Sequence, residues 1–243
     1  MNQIKLIALD MDGTLLNDQE EITEKNRQAI RGAQERGIYV VLSTGRSIAT
    51  CREYADALQL SSYLVTVNGS EIWGDSGELV EQHSLPTDSI LWMHELAERY
   101  LTNFWCVTTD KVWRNEFPDD VSLHQWLKFG FQTSDDQART SVLRTLANRH
   151  QFEISNSNPT NIEVNAKGVN KANGLQSVCD RLNITMDHVL AMGDSLNDIA
   201  MINEAGYGIA MGNAQQDVKD AADGITGTNN NDGVAQAIYR WVL

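Results

Sequence analysis

Residues 7–16, IALDMDGTLL, place two acidic residues, Asp10 and Asp12, directly after an apolar segment. Ile4 and the apolar run at 6–9 predict a buried strand, and Gly13 predicts a turn after it. A charged side chain at the end of a buried strand costs free energy unless a partner there uses it. Side chains two residues apart on a strand point the same way, so we expect both carboxylates to face one cleft.

Asp10 and Asp12 are close enough to repel each other, which raises one pKa unless a cation lies between them. Mg²⁺ resolves this conflict, because it takes hard oxygen ligands and keeps sites for water and phosphate. A second acidic stretch, GDSLND at residues 193–198, follows another predicted strand and supplies Asp194 and Asp198. The sequence therefore predicts a magnesium site built from carboxylates.

The elements around residues 7–16 predict a parallel, doubly wound α/β sheet. Residues 20–38 predict a helix with Thr23 as N-cap and Gly37 as its stop. The apolar runs within 39–46 and 63–70 predict strands that end in polar residues. Strands alternating with helices are typical of parallel sheets that bind ligands at the carboxyl ends of their strands.

From about Glu71 to residue 166 the pattern changes to adjacent strands with short turns. We expect a hairpin around Gly74 to Gly77, a helix near 87–100, strands on either side of Asp110, a helix over 135–150 and a strand pair interrupted by Pro159. The pattern of the first part returns at Lys171. The prediction is a Rossmann-like parallel-sheet core over residues 1–81 and 167–243, with an inserted α+β cap domain over 82–166.

Four motifs occur along the chain in the order found in the haloacid dehalogenase superfamily. They are DMDGT at 10–14, STGR at 43–46, a lysine that begins a helix at 171, and GDSLND at 193–198. VNG at 67–69 and AMGNA at 210–214 strengthen the resemblance, which extends over the whole chain. The chain resembles the Cof-type phosphatases of this superfamily, which carry the type IIB cap with an α+β fold.

The resemblance implies a role for each motif residue. Asp10 would be the nucleophile that forms an aspartyl-phosphate. Asp12 would protonate the leaving oxygen and then deprotonate the attacking water. The implied Mg²⁺ ligands are Asp10, the backbone carbonyl of Asp12, and Asp194, with Asp198 behind them.

The remaining motif residues are implied to bind the phosphate or the substrate. Charge on the phosphoryl oxygens must be offset during transfer. The residues implied for this are Thr44, Gly45, Lys171 and Asn197, with Arg46 and Asn68 near the substrate mouth. The chain departs from the family pattern in carrying Ala172 where glycine is common after the motif lysine. Lys167 is a competing cation, so the choice of Lys171 depends on its position before the helix.

Composition excludes several classes of function. The chain has 243 residues and a formal charge of −14, which disfavours broad nucleic-acid binding. No apolar run approaches the length of a membrane span, and the early Asp10 does not fit a secretory signal. The three cysteines form no CxxC pair. We expect a cytoplasmic enzyme with a small phosphorylated metabolite as its partner, no nucleic acid, no membrane, and an oligomeric state that the sequence leaves open.

Several alternatives remain at this point. Taken alone, Asp10 and Asp12 also fit a simple turn and cap. The substrate is expected to be a sugar phosphate, with pyridoxal phosphate or a flavin-pathway phosphate also open. A phosphosugar mutase, a catalytically silent ligand-binding relative and a structural interaction module are the other functions considered. The tryptophans at 92, 105, 113 and 126 are expected in the cap core and its domain-facing surface, with substrate stacking by one of them as the alternative.

Overall fold

The structure is a computed structural model that describes residues 3–243, so the first two residues of the predicted core lie outside it. The described chain forms strands that belong to two sheets. In chain order they are β1 (Leu6–Leu9), β2 (Tyr39–Ser43), β3 (Leu64–Thr66), β4 (Glu71–Trp73), β5 (Leu79–Gln82), β6 (Asn103–Thr108), β7 (Val112–Arg114), β8 (Trp126–Gln132), β9 (Phe152–Ser155), β10 (Asn161–Ala166), β11 (Val189–Gly193), β12 (Tyr207–Ala210) and β13 (Gly224–Ile225).

The helices cover the faces of these sheets. They are α1 (Glu24–Glu35), α2 (Ile48–Ala57), α3 (Thr87–Arg99), α4 (Asp136–Ala147), α5 (Lys171–Leu182), α6 (Ile199–Glu204), α7 (Gln216–Ala221) and α8 (Gly233–Trp241). Over residues 3–243, no helix has the length and apolar character needed to cross a bilayer.

The larger sheet has the strand order β13-β12-β11-β1-β2-β3-β4-β5. Its strands from β13 to β3 pair in parallel, and β4 and β5 extend it as antiparallel strands. Strand β1 is buried on both faces: Ile7 and Leu9 pack into one apolar cluster, while Leu6 and Ala8 pack into another. Helices on both faces of the sheet complete these clusters, as the continuous apolar run of β1 requires.

The smaller sheet is antiparallel, with the order β7-β6-β8-β10-β9. One face packs against α3 and α4 through apolar residues that include Met93, Val142 and Phe129. The predicted fold class, an α/β core with a parallel sheet and an inserted α+β unit, is confirmed. The domain limits at 81/82 and 166/167 stay predictions.

Most predicted elements lie where the sequence indicates. Thr23 is the N-cap of α1, and its hydroxyl accepts a hydrogen bond from the Asn26 N–H at 3.3 Å. The hairpin around Gly74 to Gly77 connects β4 and β5, which belong to the larger sheet. Strand β8 and helix α7 were not predicted. The missed β8 is the central strand of the smaller sheet, so this sheet was only partly foreseen.

Asn26 connects the first and last helices of the larger unit. Its side chain is fully buried in α1, and its Oδ1 accepts a hydrogen bond from the backbone N–H of Ala235 at 2.9 Å. Ala235 lies in the first turn of α8, where a backbone N–H has no carbonyl acceptor within the helix. Asn26 therefore supplies the partner that this helix end lacks.

We expect Asn26→Ala to lower the free energy of unfolding by about 1–3 kcal/mol, because it leaves a buried N–H without an acceptor. Urea unfolding at 25 °C measures the change. The control is Gln28→Ala on the exposed side of the same helix, expected within about 0.5 kcal/mol of wild type. Equal stabilities of the two variants would show that the Asn26–Ala235 hydrogen bond does not stabilise the fold.

Candidate active site

The acidic residues of the opening stretch lie at the carboxyl edge of the parallel sheet. Asp10 follows β1 directly, and its backbone N–H donates to the Met192 carbonyl of β11 at 3.0 Å. Asp194 follows β11, the parallel neighbour of β1, so the two strand ends bring Asp10 and Asp194 to the same edge. Asp10 is only 5% exposed, whereas the side chain of Asp12 is 56% exposed.

Lys171, the first residue of α5, lies between two of the acids. Its side chain is 0% exposed, and its Nζ lies 2.6 Å from Asp10 Oδ1 and 2.6 Å from Asp198 Oδ1. Burial alone would lower the pKa of Lys171, but the charges of Asp10 and Asp198 outweigh it and raise the pKa. The ammonium group is therefore held in its charged form. Lys167, the competing cation, is exposed.

Asp10, Asp194 and Asp198 form the acid cluster, in which one carboxylate oxygen from each lies within 4.8 Å of the others. Burial raises the pKa of Asp10 well above its ordinary value despite Lys171, and Asp198 and Asp194 raise it further. Burial and the charge of Asp198 also raise the pKa of Asp194, to about 7. Burial and mutual repulsion thus oppose the simultaneous ionisation of these acids, because Lys171 alone does not offset the charge of all three.

The two outer acids of the cluster have different contacts. Asp198 Oδ2 accepts hydrogen bonds from the backbone N–H groups of Asp194, at 2.9 Å, and Ser195, at 3.0 Å. With Oδ1 on Lys171, both oxygens of Asp198 are engaged within the protein. Within residues 3–243, the Asp194 carboxylate accepts hydrogen bonds only from hydroxyl groups, those of Thr14 at 3.3 Å and Ser195 at 3.2 Å. Asp194 is therefore the more available of the two for a ligand.

Gly13 allows the turn between β1 and this edge to approach Asp194. Its φ is +79°, a conformation that residues with a side chain rarely adopt, and a Cβ there would lie 2.5 Å from Asp194 Oδ2. Glycine at this position is thus required by both the backbone and the neighbouring carboxylate.

Asp12 is separate from the acid cluster and pairs with Arg46. The guanidinium donates through Nε to Asp12 Oδ2 at 2.9 Å and through Nη2 to Asp12 Oδ1 at 2.5 Å. Such two-point pairing fixes the orientation of a carboxylate. Arg46 comes from the loop after β2, so two adjacent strand ends hold Asp12 at the mouth of the site.

The STGR loop also contacts the smaller sheet. The hydroxyl oxygen of Thr44 is fully buried and accepts from the Arg46 backbone N–H at 3.1 Å. The Gly45 carbonyl accepts from Lys128 Nζ of β8 at 2.9 Å. The loop that carries the predicted phosphate-binding residues is therefore held in place by a side chain of the inserted unit.

Asn68 and Asn197 form the back of the site. Asn197 Nδ2 donates to Asn68 Oδ1 at 3.2 Å, and Asn68 Nδ2 donates to Glu163 Oε2 at 2.6 Å. Asn68 has a positive φ of 60°, one of the few non-glycine residues in that conformation. These hydrogen bonds join the larger sheet to Glu163 of β10.

A cleft of about 720 Å³ lies between the two sheets. The predicted site residues that line it are Asp10, Asp12, Gly45, Arg46, Asp194 and Asn197. The other four, Thr44, Asn68, Lys171 and Asp198, do not line the cleft and are buried around it. The structure thus brings all ten predicted residues to one region, in two layers.

Lys128 and Glu163 line the same cleft and were not predicted as site residues. Their charged groups lie 3.3 Å apart, and their side chains are 4% and 5% exposed. Burial raises the pKa of Glu163, but the charge of Lys128 and hydrogen bonds from Asn68 and Ser157 outweigh burial and lower it. The alternation of polar and apolar residues in 126–132 is the signal that would have placed Lys128 on a strand face.

Comparison with known proteins agrees with this geometry. A family model described as haloacid dehalogenase-like hydrolase matches residues 7–142 and 118–238. The 5-amino-6-(5-phospho-D-ribitylamino)uracil phosphatase YcsE of Bacillus subtilis (strain 168) is 59% identical over 240 residues, which are 99% of this chain and 96% of that protein.

Two solved structures share the fold. A haloacid dehalogenase-like hydrolase from B. subtilis has a TM-score of 0.91 at 24% identity and covers 98% of this chain and 100% of its own. The HAD subclass IIB sugar phosphatase BT4131 has a TM-score of 0.85 at 23% identity and covers 97% of this chain and 98% of its own.

The matched family model and the 59% identical phosphatase identify the class of protein to which this site belongs. The chain belongs to the haloacid dehalogenase-like hydrolase family, and it is a phosphatase that acts on a small phosphorylated substrate. The predicted family and enzyme class are confirmed. The roles of the individual site residues stay predictions.

The Lys128–Glu163 pair makes a pH-dependent contribution to stability. At pH 7 we expect Glu163→Gln to lower the free energy of unfolding by about 3 kcal/mol, because it leaves the Lys128 charge buried without a counter-charge. The pKa of folded Glu163 lies below its ordinary value of 4.5. Its contribution is therefore present above pH 4.5 and is lost as the pH falls through the folded pKa.

Urea unfolding at several pH values measures the difference in the free energy of unfolding between wild type and Glu163→Gln. We expect the difference to be constant from pH 7 to pH 5.5 and to narrow by roughly 1 kcal/mol at pH 3.5. Asp119→Gln, which removes an exposed carboxylate, serves as the control. A difference that does not change with pH would contradict the ionised pairing of Glu163 in the folded protein.

Proposed function

We propose that the protein hydrolyses a phosphomonoester through an aspartyl-phosphate on Asp10. The observation that carries this proposal is the position of the Asp10 carboxylate, which lines the cleft while Lys171 holds its Oδ1 at 2.6 Å from Nζ. A carboxylate fixed in this way has one oxygen directed by the protein and the other available for attack. The acid is nearly buried, so little water competes with the substrate.

In the first step, the free Asp10 oxygen attacks phosphorus and the bond from phosphorus to the leaving alcohol oxygen breaks. Asp12, which enters this step in its protonated form, donates its proton to that oxygen, so the alcohol leaves neutral. In the second step, Asp12 accepts a proton from water as the water oxygen attacks phosphorus. The bond between Asp10 and phosphorus then breaks, which releases inorganic phosphate and restores both carboxyl groups.

The position of Asp12 at the open side of the site supports this role. Arg46 orients its carboxylate by two hydrogen bonds, and both residues line the cleft where a leaving group would pass. Asn197 and the peptide at Gly45, which line the cleft, would donate hydrogen bonds to phosphoryl oxygens, and Thr44 would support this loop from behind by accepting from the Arg46 N–H. Lys171 would offset the charge of the phosphoryl oxygens from behind Asp10.

The acid cluster fits Mg²⁺. Three carboxylates, two of them buried, lie within 4.8 Å of one another beside one lysine, and hard oxygen ligands are the type that Mg²⁺ takes. Asp10, Asp194 and the Asp12 carbonyl would hold the ion, with Asp198 fixing Lys171 and the loop after β11. When bound, the ion would offset charge on the phosphoryl group.

For the substrate, we propose 5-amino-6-(5-phospho-D-ribitylamino)uracil, the compound that the name of the 59% identical relative specifies. This compound is a phosphate monoester at the end of a polyol chain that carries a pyrimidine ring. The cleft provides polar side chains for the polyol and an aromatic wall for the ring. A cytoplasmic location for this reaction stays a prediction.

The test is release of inorganic phosphate from this compound, from p-nitrophenyl phosphate and from a panel of sugar phosphates, each with Mg²⁺ and with EDTA. We expect the named compound to have the highest kcat/KM and EDTA to abolish turnover. Asp10→Asn should lower kcat by about 10³-fold or more, because it removes the nucleophile. Asp119→Asn, at an exposed position, is the matched control and should retain wild-type turnover.

Undiminished Mg²⁺-dependent turnover by Asp10→Asn would contradict the aspartyl-phosphate mechanism. Release of an isomeric phosphate ester with little inorganic phosphate would identify a mutase. Tight binding without turnover would identify a catalytically silent relative.

Metal binding has a readout that does not depend on turnover. We expect 10 mM Mg²⁺ to raise the melting temperature of wild type by several degrees, since a ligand that binds only the folded state stabilises it by about 2.7 kcal/mol at 100 times its Kd. Asp194→Asn should lose this response. Without metal it should be at least as stable as wild type, because the substitution relieves repulsion in the acid cluster.

Thermal unfolding with Mg²⁺ and with EDTA measures both effects, and Asp119→Asn again serves as the control. An Asp194→Asn protein that Mg²⁺ stabilises as much as wild type would place the ion elsewhere.

A further inference from the structure

The smaller sheet has two faces of different character. Along β6 and β8, Phe104, Cys106, Phe129 and Phe131 belong to the apolar cluster that packs on α3 and α4. The residues between them point to the other face, because side chains alternate along a strand. That face lines the cleft through residues that include Trp105, Lys128, Gln132 and Glu163.

Trp105 is the tryptophan on this cleft face. Trp126 is almost fully buried, Trp113 donates from its ring nitrogen to Thr108 at 3.2 Å, and Trp92 lies under Arg149 at 3.6 Å from its ring centroid. Phe104 also borders the cleft, but its ring stacks on Phe129 with centroids 5.6 Å apart. Trp105, which is only partly buried, is therefore the aromatic ring that remains for a ligand in the described cleft.

Gly130 explains how the ring of Trp105 lies on the sheet. Trp105 and Gly130 are direct partners between β6 and β8. A Cβ on Gly130 would lie 2.2 Å from both Cε2 and Cζ2 of the indole. The indole therefore covers the glycine backbone, in the space that any other residue would fill. An aromatic residue laid over a glycine of the neighbouring strand is held in one orientation.

Polar side chains surround this ring. Arg114 of β7 is the partner of Trp105 on the other side, and Asn103 lies two residues before Trp105 on the same face. Within residues 3–243, neither the Arg114 side chain nor the Asn103 side chain makes a hydrogen bond or an ion pair with another residue. Both are thus available to the edge of a bound molecule whose flat face lies on the indole.

We propose that Trp105 binds the pyrimidine ring of the substrate by stacking and so determines which phosphomonoester the enzyme prefers. The ring belongs to the leaving alcohol, so it would lie against the smaller sheet while the phosphate lies at Asp10 on the opposite wall. This inference rests on the proposed function. Every base or base-like heterocycle has a flat face, and stacking on an aromatic residue contributes measurably to its binding.

The experiment compares the full substrate with D-ribitol 5-phosphate, which has the same polyol ester without the ring. For Trp105→Ala we expect kcat/KM on the full substrate to fall about 10- to 100-fold, which corresponds to the usual strength of such stacking. On D-ribitol 5-phosphate the change should be less than about 3-fold. Trp105→Phe, which keeps a flat ring, should recover much of the loss.

Two further variants separate stacking from structure. Trp113→Ala removes a tryptophan of the adjacent strand on the other face of the sheet. It should change kcat/KM by the same factor on both substrates. Gly130→Ala would displace the indole, so it should reproduce the selective loss seen for Trp105→Ala. Equal losses on both substrates for Trp105→Ala would overturn the proposal, since they would show a general structural role.

A second readout keeps this inference separate from the proposed function. The dephosphorylated product, 5-amino-6-(D-ribitylamino)uracil, is tested as an inhibitor of p-nitrophenyl phosphate turnover. We expect Trp105→Ala to raise its inhibition constant about tenfold or more and Trp113→Ala to leave it unchanged. If the full substrate is not preferred but this shift occurs, the substrate assignment is wrong, while the ring site, meaning the stacking position on Trp105, is supported. No inhibition of wild type, or no shift with Trp105→Ala, would overturn the ring site.

Discussion

The contact of one buried lysine with two buried acids is the constraint on which the site depends. Lys171 has no exposed surface, and its charge is stable there only because Asp10 and Asp198 lie 2.6 Å from its Nζ. Loss of either acid leaves a buried charge with less compensation. The start of α5, the end of β1 and the loop after β11 must therefore meet at one point, and the parallel order of β1 and β11 provides that meeting.

The acid cluster places more carboxyl groups around Lys171 than the stability of the folded protein alone would favour. Burial and mutual repulsion raise the pKa values of Asp10 and Asp194, so the folded protein holds carboxylates that resist ionisation together. Such a cluster is typical of sites where function opposes stability. The inserted unit contributes a second set of buried charges, Lys128 and Glu163, which bind the STGR loop and Asn68. Polar contacts thus contribute to stability at the junction of the two sheets, beside the apolar cluster of Val67, Val107 and Leu127.

The sequence allowed the core of the fold and the region of the site to be predicted, because strand ends with polar residues and glycines follow local rules. Thr23, Gly13 and the acids at 10, 194 and 198 lie where these rules place them. The cleft wall from the smaller sheet was not predicted. The alternation in β8 is a local signal, but the burial of Lys128 and its position beside the cleft depend on pairing with β6 and β10, far away in sequence. A single sequence does not reveal such pairing.

In the proposed mechanism, Asp10 forms a covalent bond to phosphorus during turnover. The most direct test is rapid acid quenching of the enzyme after mixing with substrate, followed by proteolysis and mass spectrometry of the peptide that contains residues 7–16. We expect a phosphorylated Asp10 that forms before phosphate is released and is absent in Asp10→Asn. Steady turnover with no phosphorylated enzyme at any time, or a phosphoryl group on another residue, would contradict this mechanism.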